Sequence, residues 1–135
     1  MADFIHLTNK TEYSLSEGAL PIARIAELCQ SFSMPAVGIS DNNNMFGALE
    51  FSEQIAKVGV QPILGCNIKI KTPKEYLHEN IEDKDLYFYL NIFSKSNEGY
   101  ENLLKCISNA YTLNKGDAYV RFDELINLKE GLIIL

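Results

Sequence analysis

Residues 36–71, AVGISDNNNMFGALEFSEQIAKVGVQPILGCNIKIK, decide the fold. Ala36-Val37-Gly38-Ile39 is a short continuous apolar run that ends in Ser40-Asp41 and the Asn42-Asn43-Asn44 triplet, so it reads as a buried strand opening into a polar loop. Across residues 46–58 the apolar Phe46, Leu49, Ile55, Ala56 and Val58 are placed on one side of a helix. Gly59 follows where helix closure calls for a left-handed residue. Cys66, Ile68 and Ile70 then alternate with Asn67, Lys69 and Lys71, the period of a strand. Strand, helix and strand at these lengths predict a right-handed βαβ unit.

The flanks extend the pattern. Residues 4–8 alternate as a short strand would, and 14–18 read as a polar loop. Residues 21–32 carry Ile22, Ile25, Ala26, Leu28 and Cys29 at helical spacing, with Pro21 suited to the first turn, and Met34-Pro35 breaks the helix. After a polar loop at 72–84, residues 86–93 are aromatic and β-rich, a fourth strand. Asn97 is placed to cap a helix whose stripe is Tyr100, Leu103, Leu104, Ile107 and Ala110. Residues 122–128 predict one more short helix, and 131–135 an apolar strand. Alternating strands and helices predict an α/β fold with a mainly parallel sheet, either doubly wound or a β/α barrel. In both, chemistry gathers at the C-terminal ends of strands, where loops 8–17 and 40–44 and Asn67 are expected to meet. A buried strand as the last element predicts a fragment of a larger barrel or sheet, with open edges that favour self-association of the isolated piece.

Composition narrows the function classes. A chain of 135 residues has room for one domain, and 47% apolar with 22% charged residues is the balance of a globular core, which excludes disordered, collagen-like and coiled-coil chains. Lys and Arg total 12 against 18 Asp and Glu, a net charge of -6, which excludes a stand-alone nucleic-acid binder. Any DNA would be met through other parts of a larger protein. No secretory leader and no apolar run of bilayer length is seen, so the expectation is a cytoplasmic protein without a membrane contact. Cys29, Cys66 and Cys106 are odd in number and sit in apolar patterns, which predicts buried free thiols.

Catalytic candidates are few. A divalent ion needs about four to six donors, and the two histidines are His6, on the first strand, and His78, in the polar loop. His6 reads as a hydrogen-bonded histidine lining the core, against a metal ligand; His78 reads as solvated. Asp41 follows a buried strand, where catalytic carboxylates occur in α/β folds, and Asp before Asn also opens ordinary loops; both readings stand. Glu17 lies beside Gly18 in the first loop. The eight glycines never adopt Walker or dinucleotide spacing, no nucleophile elbow occurs, and a Cys nucleophile lacks an evident base.

A set of short motifs then carries a resemblance. Phe4-Ile5-His6-Leu7, Thr11-Glu12-Tyr13-Ser14-Leu15, Gly18-Ala19, Met34-Pro35-Ala36, Asp41, Asn44-Met45-Phe46-Gly47 and Glu50-Phe51 open the match. Gln61-Pro62-Ile63, Gly65-Cys66, Asn97-Glu98-Gly99-Tyr100, Asn102-Leu103, Arg121, Asp123 and Glu130-Gly131-Leu132 continue it in order over nearly the whole chain. The sequence resembles the opening PHP domain (polymerase and histidinol phosphatase) of the bacterial DNA polymerase III alpha-subunit family. That resemblance implies that residues 1–135 are the first half of a distorted seven-stranded β/α barrel, in which catalytic members hold up to three metal ions and hydrolyse phosphoesters.

At the family's metal positions this sequence departs from the pattern. Two histidines expected just after the initial His6-Leu7 are Thr8 and Lys10. The acid of the next loop is Glu17 in place of Asp, the His expected after Asp41 is Asn42, the Glu expected after Gly65-Cys66 is Asn67, and the His of the fourth strand is Tyr89. His6, Thr8, Lys10, Glu17, Asp41, Asn42, Asn67 and Tyr89 are thus the remnant of that site, with no catalytic residue, no metal and no cofactor expected. Lys10 either replaces the ion by pairing with Asp41 or Glu17, or points to solvent.

The expected function is that of a non-enzymatic scaffold within a DNA-directed DNA polymerase, whose polymerising aspartates in this family lie beyond Leu135. Its implied partners are the rest of the alpha chain and, in some bacteria, the proofreading exonuclease subunit. The competing expectation is a metal-dependent phosphoesterase or 3'-5' exonuclease built on His6, Glu17, Asp41 and Cys66 together with donors from the missing half of the domain. A free-standing small interaction protein is the third.

Overall fold

A computed structural model describes residues 4–77, 86–114 and 116–135. The reading of His78, and of the loop beyond residue 77, lies outside the described residues. The chain forms two compact units, Met1–Cys66 and Asn67–Leu135. Its class is α/β with a mixed sheet.

In the first unit α1 (Ile22–Ser31) and α2 (Ala48–Lys57) accompany β1 (Ala36–Asn42) and the start of β2 (Gln61–Lys71). The core is built from Ile22, Ile25 and Cys29 of α1, Val37 and Ile39 of β1, and Phe51 and Ile55 of α2. Every residue of β1 from Ala36 to Asp41 is buried, the polar Ser40 and Asp41 together with the apolar run that precedes them. The strand runs further than the sequence suggests, so Asp41 is its penultimate residue and not the opening of a loop. Helix α2 ends at Gly59, whose φ of +75° is left-handed, while the Val60 amide reaches back to the Ile55 carbonyl at 3.2 Å. Its core face is Ala48, Phe51 and Ile55; Phe46 and Leu49 are exposed, so the stripe is rotated from the expected one.

Residues 4–8 are not a regular strand. They run beside β1 through two bonds, Gly38 N–H to His6 O at 2.7 Å and Ser40 N–H to Asn9 O at 2.9 Å, with an isolated parallel bridge between Asn9 and Ile39. Approach is close here because Gly38 lacks a side chain: a Cβ would sit 2.6 Å from Leu7 O.

The second unit holds the remainder of β2, β3 (Tyr87–Ser94), α3 (Asn97–Leu113), β4 (Val120–Arg121), α4 (Phe122–Asn127) and β5 (Leu132–Ile134). β2 pairs parallel with β4, Ile70 opposite Val120, and β3 pairs antiparallel with β5, Phe93 opposite Ile133. The antiparallel pair corrects the expectation of a mainly parallel sheet: after α3, β4 and α4 the chain turns at Gly131, with φ +72°, and enters β5 running against β3. Ser96, not Asn97, caps α3, its hydroxyl accepting from Gly99 N–H at 3.1 Å. The buried face of α3 is Gly99, Asn102, Leu103, Cys106 and Ala110, leaving Leu104 exposed. All three cysteines are free and buried. Among the described residues no helix is long and apolar enough to cross a membrane.

Candidate functional site

Asp41, 1% exposed at the end of β1, is the centre of the polar cluster in the first unit. Its Oδ1 accepts from Thr11 N–H at 2.7 Å and from the Ser14 hydroxyl at 2.6 Å, and its Oδ2 accepts from the Thr11 hydroxyl at 2.7 Å. Thr11 and Ser14 are themselves buried, at 0% and 2% exposure. Charge-assisted bonds of this length are the strong kind, and three of them compensate a carboxylate removed from water. The Cys66 thiol donates to the Asp41 carbonyl at 3.2 Å, and burial pushes that thiol up to about 12.

The loop before α1 closes around this point. Glu17 N–H and Gly18 N–H both reach the Ser14 carbonyl, and a Cβ on Gly18 would stand 2.0 Å from Thr11 O, so only glycine allows the turn. Exposed Glu17 accepts from the Asn42 side-chain amide. Buried Asn44 donates to the carbonyls of Tyr13 and Asn42 and accepts from Phe46 N–H. The Tyr13 hydroxyl donates to Glu50 Oε2 at 2.9 Å, which ties the loop to α2 and raises the phenol above its ordinary value.

Lys10 pairs with neither carboxylate. The ion pairs among the described residues are Arg24–Glu27, Lys69–Asp117 and Arg121–Asp123, while Lys10 Nζ donates to Ser40 O at 2.8 Å. The expected Lys10 pair with Asp41 or Glu17 is corrected: neutral donors already fill Asp41. Burial lowers the Lys10 ammonium, opposed by the attraction of Asp41, Glu17 and Cys66.

His6 is exposed, packs edge-on against Phe4 at 4.7 Å between ring centroids, and lines a mostly apolar cavity of about 160 Å³ with Leu20, Cys29, Phe32 and Met34. Its ring makes no hydrogen bond among the described residues, so the expected hydrogen-bonded core histidine is corrected. Thr8 stays exposed. In the second unit Asn67 donates to Asn91 Oδ1 at 3.1 Å, its own Oδ1 is buried without a partner, and Tyr89 is 57% exposed.

With this geometry in view, the PHP domain model matches residues 6–135. The chain belongs to the PHP domain family. This PHP chain is similar to proteins named DNA polymerase III subunit alpha. It is 38% identical to that of Rickettsia felis over 135 residues, 98% of this chain and 10% of the relative. Identity to the Haemophilus influenzae protein is 32% over 133 residues, 98% of this chain and 11% of the relative. The Helicobacter pylori protein (strain 26695) is 38% identical over 112 residues, 80% of this chain and 9% of the relative. The chain therefore spans about a tenth of the length of these curated relatives. Among solved structures it is similar in fold to a Bifidobacterium adolescentis protein assigned as a metal-dependent phosphoesterase, with a TM-score of 0.56 at 17% identity over 81% of this chain and 34% of that one.

Among the described residues the donors near Asp41 do not make up the set that a divalent ion requires. Among the described residues no three His, Cys, Asp or Glu side chains converge. Asp41 Oδ1 accepts two bonds and Oδ2 one, and Glu17 accepts from Asn42. Among the described residues the one buried side-chain oxygen without a hydrogen-bond partner, Asn67 Oδ1, is a single neutral amide where about four to six donors are required. The sequence marks Thr11 and Ser14 only as part of a motif that carries the resemblance, not as site residues. The signal for them is a Thr-x-x-Ser in a polar loop that returns to β1, and hydroxyls of that kind are common in turns that touch no carboxylate.

Proposed function

We propose that this PHP chain is the segment of a bacterial replicative polymerase alpha subunit that braces the polymerase core, with no phosphoester chemistry of its own. The parent is a cytoplasmic DNA-directed DNA polymerase, and DNA is reached only through it. The partners are the rest of the alpha chain and, as in some bacteria, the proofreading exonuclease subunit, and residues 1–135 belong to the first half of a barrel of the PHP type. Similarity to polymerase alpha subunits over nearly the whole chain supports the parentage. The scaffold role is carried by one observation: the buried carboxylate at the tip of β1 spends its oxygens on Thr11 and Ser14 of the same chain.

The test uses the full-length protein purified without chelator. Metal analysis is expected to find no stoichiometric zinc or manganese. Nuclease and phosphoesterase assays with added manganese are expected to give the same background for the unsubstituted chain and for Asp41→Asn. Bound metal together with a nuclease activity that Asp41→Asn abolishes would establish the phosphoesterase reading.

A further inference from the structure

We propose, resting on the scaffold reading and adding a contact surface to it, that Leu15, Phe46 and Leu49 form a docking face for one occupant: an apolar segment flanked by Lys or Arg in the remaining part of the polymerase chain.

These three are the most exposed large apolar side chains among the described residues, at 86%, 74% and 71%. Apolar side chains gathered in water mark a contact site. Buried Asn44 ties their two segments together, donating to the Tyr13 carbonyl at 3.1 Å, two residues before Leu15, and accepting from Phe46 N–H at 3.2 Å. Leu49 follows in the first turn of α2, on the side turned away from Phe51 and Ile55. Next to Leu15 and in the turn before Phe46, Ser16 and Asn43 hold left-handed backbones, with φ +67° and +50°. Such conformations cost free energy outside glycine and persist where the surroundings fix them. A corner held this way has little freedom left to lose on contact.

Charge selects the occupant. Exposed Glu12, Glu17 and Glu53 and half-buried Glu50 stand on the same loop and helix as the three apolar side chains. Lys10, the nearest cation along the loop, is committed to Ser40 O. A frame of carboxylates attracts Lys and Arg, and repels both a nucleic-acid backbone and a second copy of a chain whose net charge is -6. The curated relatives run to about ten times the length of this chain. A segment of that same polymerase chain is present at high effective concentration, which suits a face that must stay covered.

Photocrosslinking in the full-length polymerase tests this, with a benzophenone side chain placed at position 49. The monomeric protein is expected to form an intramolecular crosslink to a segment beyond residue 135 that carries Lys or Arg within about four positions, one helical turn. Leu15→Asp combined with Phe46→Asp is expected to lower the crosslink yield about tenfold, the effect of losing an apolar anchor. Glu53→Lys is expected to lower it about threefold, in the range of an exposed charge pair. These side chains are exposed, so unfolding midpoints should stay near that of the unsubstituted protein. Absence of any crosslink beyond residue 135, or a crosslink to another protein, to a second copy or to a segment flanked by acids, would overturn the docking face. The scaffold reading would survive each of those results, because it falls to bound metal with Asp41-dependent nuclease activity.

Discussion

In residues 4–66 a single carboxylate, Asp41, is sealed from water and held by three neutral donors, whereas in residues 67–135 charge is met by charge at the surface. There Lys69 Nζ contacts both Asp117 oxygens, at 2.9 and 3.0 Å, and stands 4.1 Å from the centroid of the Tyr87 ring, while the Asp117 side chain is 48% exposed. The carboxylate raises the Lys69 ammonium above its ordinary value. Water and salt screen that second arrangement and cannot reach the first, so the buried carboxylate without a cation is the stronger anchor of the two. Removing either partner of a sealed cluster also strands the other, which an exposed pair does not suffer.

The contrast can be broken most directly at Asp41. Asp41→Ala leaves Thr11 N–H and two hydroxyls buried without an acceptor, and is expected to cost about 3 kcal/mol or more in denaturant unfolding. A midpoint equal to that of the unsubstituted chain would mean that water enters the cluster freely. Next in size is Gly99→Ala in the second unit, where the new Cβ would lie 1.9 Å from Gly131 O; the entry to β5 must shift, at about 1–3 kcal/mol by the same measurement.

The thiols compare burial in the two units through pH. Burial raises Cys66 from 9.0 to about 12 and Cys106 from 9.0 to about 11. A raised folded value means that the unfolded chain loses its proton first. The contribution is therefore complete below pH 9.0 and is lost as pH rises, up to about 12 for Cys66 and about 11 for Cys106. Unfolding followed from neutral to alkaline pH should show this decline in the unsubstituted chain and a shallower one in Cys66→Ala; equal slopes would place the thiol in water. The smallest effect belongs to Asp117→Asn, which should change stability by less than about 1 kcal/mol and respond to salt. A larger loss would place the Lys69 contact on the buried side of the comparison.

Much of the fold was legible because it rests on local periodicity. Ile22, Ile25 and Cys29 on α1, the closing Gly59 of α2 and the alternation in β2 follow from spacing alone. What spacing could not give was the rotation of a helix about its axis. Cys106 and Asn102 face inward on α3 while Leu104 faces out, because Gly99 must meet Gly131 and the Asn102 amide reaches Glu130 O at 3.0 Å. The missed strand β4 is two residues long, too short for any period to show.

At the candidate site, sequence by itself determined which side chains are available: two histidines in the whole chain, one acid at the tip of a buried strand, and a lysine nearby. Only the tertiary structure decided how they are used. Thr11 and Ser14 come to Asp41 across about thirty residues of chain, and Lys10 turns to a carbonyl because those hydroxyls have already taken the carboxylate. Hydrogen bonds are directional and short in range, so their partners are set by which loop folds against which strand, a choice made by the whole packed unit and not by any local stretch of residues.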